Sequence, residues 1–385
     1  MTTIAFVVTS SMSLPLLGRL PLELRDRGWR VHLVSSGRGE GLSSEADNLL
    51  GIEHHAVDIR RRPAPLRDFW ALVRLVGVFK TLKPDVIVGA TPKAGLLGAI
   101  AGFALRIPTR VYLLWGLRLE TTSGLLRWFL WFMEFITASA STHIVAVSPS
   151  LRQVYLRLGL ADPEKIQVVL NGSSKGVDLE KFRASKGAEK AELEKKASAL
   201  GLLAGIPIVG YFGRLTPDKG LYSLAASRKI LVDNHVDHQM LIVGVDEMQI
   251  NFSSIINQFG RPAILTGAVD NPSLYYRMID VLCLPTLREG LPNVCLEAAA
   301  SGVPVITTSA TGAIDSVNGG VTGIIVEPDS TLSLADALTA LISDEEFRES
   351  LASASRPWVA SKFSESSVVS AYVSYFEALH PTRTA

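Results

Sequence analysis

Short apolar runs alternate along the chain with longer stretches whose apolar positions recur at helical spacing. In the first half the runs cover residues 4–8, 29–34, 86–89, 109–114, 143–147 and 166–170, and residues 66–82 show the helical spacing. Strands that alternate with amphipathic helices are typical of parallel βαβ units. The pattern therefore predicts an α/β domain over residues 1–180.

Residues 181–200 interrupt this pattern, because they are charged, rich in Ala and poor in β-branched residues. Such a stretch is typical of a solvated helix or of a linker between domains. The alternation restarts afterwards, with apolar runs at 208–212, 240–243, 264–266, 281–284, 305–307 and 323–326. We expect a second doubly wound domain over residues 201–362 and a last helix within 363–385 that crosses back to the first domain. Two such domains predict a ligand cleft between them, at the carboxyl ends of the strands.

Composition and charge narrow the class of protein. Of the 385 residues, 48% are hydrophobic and 19% are charged, which excludes disorder of the whole chain. The net charge of +1 argues against a general polyanion binder, so no nucleic-acid partner is expected. Residues 1–180 nevertheless carry 21 basic and 15 acidic side chains, a net charge of +6 against −5 in the rest of the chain. The two halves are therefore expected to face different partners.

The cysteines and the longest apolar runs favour a reducing, cytoplasmic location. Cys283 and Cys295 are the two cysteines and form no CxxC motif, which argues against a disulfide framework and a zinc cluster. The first apolar run has no basic segment before it, so no signal peptide is predicted. No uncharged apolar run reaches the ~18 residues of a membrane span.

A first candidate site is segment 213–220, Gly-Arg-Leu-Thr-Pro-Asp-Lys-Gly, which follows a predicted strand and precedes a helix. Gly213 lets a ligand approach the backbone, and Arg214 and Lys219 bring two cations to the end of that strand. This combination suits a diphosphate, because Arg donates in a fork and Lys acts as a point charge. The spacing differs from that of a Walker loop. The alternative interpretation is a turn with two solvated cations.

A second candidate site is segment 288–302, which also follows a predicted strand. Pro292 suits a first helical position and Gly302 suits the residue after a helix end, so Glu289 is expected in a loop and Glu297 within the helix. The N–H groups at Gly290, Leu291 and Asn293 would offer a phosphate the positive end of the helix dipole. A carboxylate in such a helix can bind ribose hydroxyls, and one in the loop can hold a sugar. The alternative is a surface helix with ordinary acidic residues.

The two segments together resemble the family 4 retaining glycosyltransferases of the GT-B fold. The order and spacing of the motifs match, as do Asn171-Gly172, Val177-Asp178, Phe182, Val243-Gly244 and Thr266-Gly267-Ala268-Val269. The resemblance implies that Arg214 and Lys219 bind the donor diphosphate, that Glu297 holds the ribose and that Glu289 holds the donor sugar. It also implies that Thr266 and Gly267 lie near the base, with Gly213 and Gly244 beside the donor.

The first half narrows this resemblance to bacterial capsule, exopolysaccharide and lipid-linked-oligosaccharide members. Segments 91–98 (TPKAGLLG), 116–121 (GLRLET) and 171–174 (NGSS) carry the likeness. Acceptors in those members are amphiphiles with a diphosphate. Candidate acceptor or membrane residues are Arg60, Arg61, Arg62, Lys93, Arg118 and Glu120. The aromatic stretch 125–135 (LLRWFLWFMEF) is interpreted either as a helix in a membrane interface or as a helix packed on its own domain.

Two departures from the family pattern concern the proposed chemistry. The first loop has Thr9-Ser10-Ser11-Met12-Ser13 where many members have a pair of glycines. Trp115 stands before the Gly-Leu-Arg segment, where relatives often have His or Arg, so no catalytic His is assigned there. His143 is interpreted as structural, and the remaining histidines show no ligand spacing.

These observations predict an α/β protein of the GT-B fold, with two doubly wound Rossmann-like domains that face a central cleft. The expected reaction is retaining transfer of a UDP-linked hexose or N-acetylhexosamine to an undecaprenyl-diphosphate saccharide in surface polysaccharide or glycan assembly. No cofactor and no obligatory metal are expected, because the sequence lacks a DxD triplet. The expected location is the inner face of the cell membrane, bound peripherally to an anionic surface. The alternatives are a nucleotide-sugar epimerase on the same fold and a non-catalytic nucleotide-sugar-binding partner.

Overall fold

The computed structural model describes residues 1–37, 51–60, 64–184, 188–247 and 252–379. The chain divides into two compact units, one formed by residues 1–176 with the C-terminal residues from Glu365 onward, the other by Val177–Ser364. Each unit is built on one parallel sheet with the strand order of a doubly wound fold. The predicted fold class, α/β with two Rossmann-like domains, is confirmed. The boundary lies at Gly176, four residues before the predicted position.

The first unit contains a seven-stranded parallel sheet in the order β3-β2-β1-β4-β5-β6-β7. Its strands are β1 (Thr3–Ser10), β2 (Arg30–Ser36), β3 (Glu53–Ala56), β4 (Val86–Ala90), β5 (Thr109–Leu114), β6 (His143–Ala146) and β7 (Ile166–Val168). Its helices are α1 (Leu20–Asp26), α2 (Pro65–Leu82), α3 (Pro92–Ala104), α4 (Gly124–Ala140) and α5 (Pro149–Arg157). Short 3-10 turns occupy Ser11–Leu17 and Arg118–Thr121.

Helices cover both faces of the first sheet, which explains why its central strands are continuously apolar in sequence. On one face Phe6 of β1 packs in a core with Leu24 of α1. On the other face Val7 packs in a core with Leu75 of α2 and Leu97 of α3. Consecutive residues of β1 therefore bury their side chains in two different cores.

The second unit contains a six-stranded parallel sheet in the order β10-β9-β8-β11-β12-β13. Its strands are β8 (Ile208–Phe212), β9 (Gln239–Val243), β10 (Ile264–Gly267), β11 (Val281–Leu284), β12 (Val305–Thr308) and β13 (Gly323–Val326). Its helices are α6 (Ala188–Ala199), α7 (Leu221–Asp233), α8 (Phe252–Ile256), α9 (Pro272–Tyr276), α10 (Asn293–Ala300), α11 (Thr331–Ser343) and α12 (Glu345–Phe363). The predicted linker 181–200 lies inside this unit and contains α6.

The last helix, α13 (Glu365–Leu379), packs on the first unit. The buried Tyr372 hydroxyl donates to the backbone oxygen of Ser173 at 3.0 Å. Phe376 makes an edge contact with the ring of Phe6, with 6.2 Å between the ring centres. These contacts place the C-terminal helix in the core of the unit that contains the N-terminus.

Two further observations concern the sequence predictions. The edge strand β3 was not predicted, because its sequence Glu-His-His-Ala has no apolar run. Within the described residues, no helix combines the length and the apolar character needed to cross a membrane.

Candidate functional site

Three glycines form a row at the carboxyl ends of β8, β9 and β10. The Gly213 N–H donates to Val243, and the Gly244 N–H donates to Gly267 at 2.9 Å. A Cβ atom on Gly244 would lie 1.8 Å from the backbone oxygen of Gly213, so this position accepts glycine alone. Gly213 and Gly244 have φ angles of 141° and 153°. Close backbone packing explains Gly244, whereas a positive φ explains the other two glycines. At the same edge the Thr266 hydroxyl donates to the Gly267 backbone oxygen.

Lys219 and Glu289 meet where the strand order of the second sheet reverses, between β8 and β11. The Lys219 Nζ atom forms an ion pair and hydrogen bond with Glu289 Oε1, and the side chains are only 13% and 16% exposed. Lys219 ends the short turn Pro217–Lys219 after β8. Glu289 lies in the loop after β11, where its N–H donates to the Thr311 oxygen at 2.8 Å. Open α/β sheets bind ligands at this switch point.

Arg214 is held by a partner that the sequence analysis did not identify. Its guanidinium donates to Glu247 at 2.9 Å, and both side chains are about half exposed. The Tyr211 hydroxyl donates to the Arg214 backbone oxygen at 2.8 Å. An exposed ion pair contributes only about 0–1 kcal/mol, so the guanidinium can exchange Glu247 for a ligand at small cost.

The loops after β8 and β11 are joined by a second, partly buried ion pair. Arg288 donates to Asp218 at 2.8 Å, and Thr216 donates its hydroxyl to the same carboxylate at 2.7 Å. Burial by itself raises the pKa of Asp218, but the Thr216 hydrogen bond and the Arg288 and Lys219 charges outweigh burial and hold that pKa below its usual value. The contact is reinforced because the Leu287 N–H donates to the Asp218 backbone oxygen at 2.9 Å.

Helix α10 begins at Asn293. Pro292 is therefore the N-cap residue and not the first helical residue that the sequence had predicted. Pro292 cannot cap the helix through its side chain, so the first N–H groups point out of the helix end. The Asn293 Oδ1 atom is buried with no hydrogen-bond partner in the described part of the chain. Gly290 packs against Gly312, where a Cβ would lie 2.2 Å from the Gly290 oxygen. Leu291, which follows Gly290 in the sequence, is buried.

Glu297 lies within α10, as predicted, and its side chain is buried. The buried Tyr276 hydroxyl donates to Glu297 Oε2 at 2.9 Å. Burial and the neighbouring Glu297 charge raise the pKa of Tyr276 well above its usual value. Tyr276 therefore remains a donor that orients the carboxylate at any physiological pH. Gly302 follows the end of the helix with φ 80°, as its position in the sequence predicts.

In the first unit, the corresponding strand ends carry two threonines. The Thr9 and Thr91 hydroxyl oxygens are 2.7 Å apart, and Thr91 has a φ of 140°, which is unusual for a residue with a β-branched side chain. Lys93, two residues later at the start of α3, forms a 2.9 Å ion pair with Asp68 of α2. Asp68 also accepts the Ala64 N–H, so it fixes both helices at this end.

The other candidate residues of the first unit are only partly described. Arg60 is exposed and lies 3.5 Å from Asp58, whereas Arg61 and Arg62 lie outside the described residues. Arg118 and Glu120 share the turn Arg118–Thr121, with Arg118 exposed and Glu120 partly buried.

The structure thus brings together the strand-end residues of the second unit and supplies partners that spacing did not reveal. The residues gathered at this edge are Gly213, Arg214, Lys219, Gly244, Thr266, Gly267, Glu289, Gly290, Leu291, Asn293 and Glu297. The partners missed from the sequence are Asp218, Glu247, Tyr276 and Arg288. Cations, a carboxylate pair and a helix N-terminus at one edge can bind a negatively charged nucleotide with an attached polar group.

Comparisons with known proteins identify the family of this chain. The family description "Glycosyl transferase 4-like domain" matches residues 17–172, and "Glycosyl transferases group 1" matches residues 206–344. The capsular polysaccharide biosynthesis glycosyltransferase CapM of Staphylococcus aureus is 37% identical over 361 residues, 93% of this chain and 92% of CapM. The UDP-Gal:alpha-D-GlcNAc-diphosphoundecaprenol alpha-1,3-galactosyltransferase of Escherichia coli is 28% identical over 291 residues, 73% of this chain and 72% of that enzyme.

Solved structures of glycosyltransferases share the fold. Anabaena Alr3699/HepE in complex with UDP and glucose matches with a TM-score of 0.80 and 20% identity, over 98% of this chain and 100% of that chain. A glycosyltransferase from Rickettsia africae matches with a TM-score of 0.79 and 20% identity, over 99% of each chain. This chain therefore belongs to the group 1 glycosyltransferases with a family 4-like N-terminal domain, and it is a glycosyltransferase of the GT-B fold.

Proposed function

We propose that this glycosyltransferase moves a hexose or N-acetylhexosamine from a UDP-sugar to a saccharide carried on undecaprenyl diphosphate, with retention of the anomeric configuration, in the assembly of a surface polysaccharide. The observation that carries the proposal is the Lys219–Glu289 ion pair at the switch point of the second sheet. It joins a cation suited to a diphosphate with a carboxylate suited to sugar hydroxyls.

In this proposal the second unit binds the donor. Lys219 and Arg214 contact the diphosphate, and the N–H groups at Gly290, Leu291 and Asn293 add the positive end of α10. When the bond to the sugar breaks, negative charge grows on the departing UDP, and these fixed donors stabilise it. Cations placed in advance act most strongly on the step in which that charge develops.

The proposal assigns the remaining donor contacts to three other parts of the same strand edge. Glu297, oriented by Tyr276, accepts hydrogen bonds from the ribose hydroxyls. Glu289 holds the donor sugar after Lys219 turns to the diphosphate. Thr266 and Gly267 lie beside the base, where the space next to Gly267 is open. The UDP and glucose in the Anabaena neighbour support a UDP-sugar as the donor class.

The acceptor is assigned to the first unit. The name of the E. coli relative gives its acceptor as a GlcNAc on undecaprenyl diphosphate, and CapM is named for capsular polysaccharide biosynthesis. Arg118, which is exposed, and the Arg60–Arg62 triplet supply positive charge for a lipid diphosphate. Lys93 serves this role only if the acceptor displaces Asp68, and Glu120 provides an acceptor for sugar hydroxyls.

The proposed chemistry requires no metal ion. Arg214, Lys219 and the N-terminus of α10 supply the positive charge that a divalent cation would otherwise bring to the diphosphate. Transfer is therefore expected to continue in excess EDTA.

Two exposed aromatic stripes on the first unit support an anionic membrane surface as a partner. On α4 the exposed large apolar side chains are Leu125, Leu126, Trp128, Phe129, Phe132 and Phe135, and on α2 they are Leu66, Phe69, Trp70 and Val73. Both helices pack against α3, which puts the stripes on the same side of the sheet. Aromatic rings beside exposed basic residues such as Arg67 and Arg74 suit the interface of an anionic bilayer. Helix α4 thus packs on its own domain through Glu134, Thr137 and Ala138, which are buried, while the aromatic side chains of its stripe stay exposed.

The test is a screen of UDP- and GDP-sugars against lipid-diphosphate saccharides, with product detection by mass spectrometry. We expect one UDP-sugar to give an acceptor one sugar heavier, with and without EDTA. Proton NMR of the product should show the anomeric configuration of the donor. Release of a free epimer from donor alone, or an inverted product, would contradict the proposal.

A further inference from the structure

Three side chains on the outer edge of the first sheet form a cluster that the proposed glycosyl transfer does not use. His32 lies on β2, and Glu53 and His55 lie on the edge strand β3. In the parallel register His32 is opposite Glu53 and Val34 is opposite His55. Residues two apart share a face of a strand, so all three side chains point to the same face.

The distances within the cluster are those of ligands around one small cation. His32 Nδ1 lies 3.2 Å from His55 Nε2. Glu53 Oε2 lies 3.3 Å from His32 Nδ1, and Glu53 Oε1 lies 3.5 Å from His55 Nε2. Zinc binds imidazole nitrogen and carboxylate oxygen at about 2.0–2.2 Å, which in a tetrahedron separates neighbouring ligand atoms by about 3.3–3.6 Å.

The cluster combines one buried side chain with two that reach solvent. His32 is buried, and its other ring nitrogen, Nε2, has no hydrogen-bond partner in the described part of the chain, so its polar contacts are made on the Nδ1 side. Glu53 is exposed and His55 is partly exposed, which gives an ion a path from solvent. One buried imidazole, one partly exposed imidazole and one exposed carboxylate are a donor set typical of zinc.

We propose that His32, Glu53 and His55 bind a Zn²⁺ ion that ties the edge strand β3 to β2. Three protein ligands leave a fourth position for water. Without the ion, the two imidazole nitrogens face each other and share one proton. With the ion, that contact would be replaced by two metal–nitrogen bonds and one metal–oxygen bond. The ion would stabilise β3, which has only four residues and pairs with a single strand, β2. The proposal does not depend on the proposed glycosyl transfer, because none of the three residues is assigned to the donor or the acceptor.

The test uses the full chain without an affinity tag, stripped of metal by a chelator and dialysed. ZnCl₂ is titrated in competition with a chromophoric zinc chelator, for the wild type, Glu53→Gln, His55→Ala and His54→Ala. His54 is the matched control, because it sits on the same strand but its ring bonds to Ser35 Oγ at 2.8 Å on the opposite face. Circular dichroism verifies that each variant is folded, and urea unfolding with and without zinc gives a second readout.

We expect one zinc ion per wild-type chain and an unfolding midpoint that rises when zinc is present. His55→Ala and Glu53→Gln should each weaken zinc binding by at least about tenfold, since even loss of outer-shell partners typically costs 10–100-fold. His54→Ala should bind zinc as the wild type does. The proposal is overturned if the wild type binds no zinc, or if all four proteins bind it equally. In either case the three side chains form only hydrogen bonds with one another.

Discussion

Lys219 and Glu289 are 70 positions apart in sequence, yet they form an ion pair that is largely shielded from solvent. The pair balances two charges at the point where a donor diphosphate and its sugar would bind. A ligand that brings both phosphate and hydroxyl groups can separate the pair and give each member a new partner. The ion pair thus keeps both side chains oriented before a donor arrives, which lowers the cost of ordering them later.

Glu297→Gln is expected to weaken UDP binding about tenfold or more, because a hydrogen bond to a charged group is worth about 1.5–3 kcal/mol. The amide oxygen of Gln can still accept the Tyr276 hydroxyl, so the fold should be preserved. Calorimetric titration with UDP measures the effect.

The matched comparison is Glu289→Gln, which should lower the affinity for UDP-sugar more than the affinity for UDP. If both variants lost the same UDP affinity, the assignment of the ribose to Glu297 and of the donor sugar to Glu289 would be wrong.

Glu134 makes the stability of the first unit depend on pH. Burial raises the pKa of this carboxyl from 4.5 to about 7, although hydrogen bonds from Tyr155 and Tyr112 oppose the rise. Because the folded state holds the proton more tightly, stability is highest below pH 4.5 for this group and falls as the pH rises through 7. The difference between the two pKa values corresponds to about 3 kcal/mol.

Glu134→Gln should therefore raise the unfolding midpoint at pH 8 and change it little at pH 5. Thermal unfolding at the two pH values measures this, with the exposed Glu164→Gln as the control. A change in midpoint that is the same at both pH values would mean that folding does not raise the pKa of Glu134.

The aromatic stripe of α4 should contribute to membrane binding. Trp128→Ser combined with Phe129→Ser is expected to reduce sedimentation with anionic liposomes by at least about tenfold in partition coefficient, since full burial of one large apolar side chain contributes about 1.5–3 kcal/mol. Leu332→Ser, at an exposed apolar position in the other unit, is the control and should bind as the wild type does. If the double variant bound anionic liposomes as the wild type does, the stripe on α4 would not be part of the membrane interface.

The sequence was informative wherever structure depends on neighbours along the chain. Strand β1 was predicted because both of its faces are buried, so Ile4 to Val8 form an uninterrupted apolar run. Glu289 and Glu297 were placed correctly before and within a helix, because Gly302 marks the end of that helix.

The sequence pattern did not predict contacts between residues that are far apart along the chain. Glu247 reaches Arg214 from the loop after a neighbouring strand, and no spacing in the sequence indicates that pair. The cluster of His32, Glu53 and His55 depends on the register of two strands, one of which has no apolar run. Strand order and register decide such contacts, and they are set by packing and not by local pattern.

The most direct test of the account is the transfer rate of Lys219→Ala under saturating UDP-sugar and acceptor, compared with Lys229→Ala. Lys229 is exposed and paired with Asp233 in the same unit, so its loss should leave the rate unchanged. Removing one prearranged donor to a developing negative charge costs about 3–4 kcal/mol, so Lys219→Ala should slow transfer by at least about a hundredfold. A folded Lys219→Ala protein that transfers sugar at the wild-type rate would contradict the proposed role of this strand end.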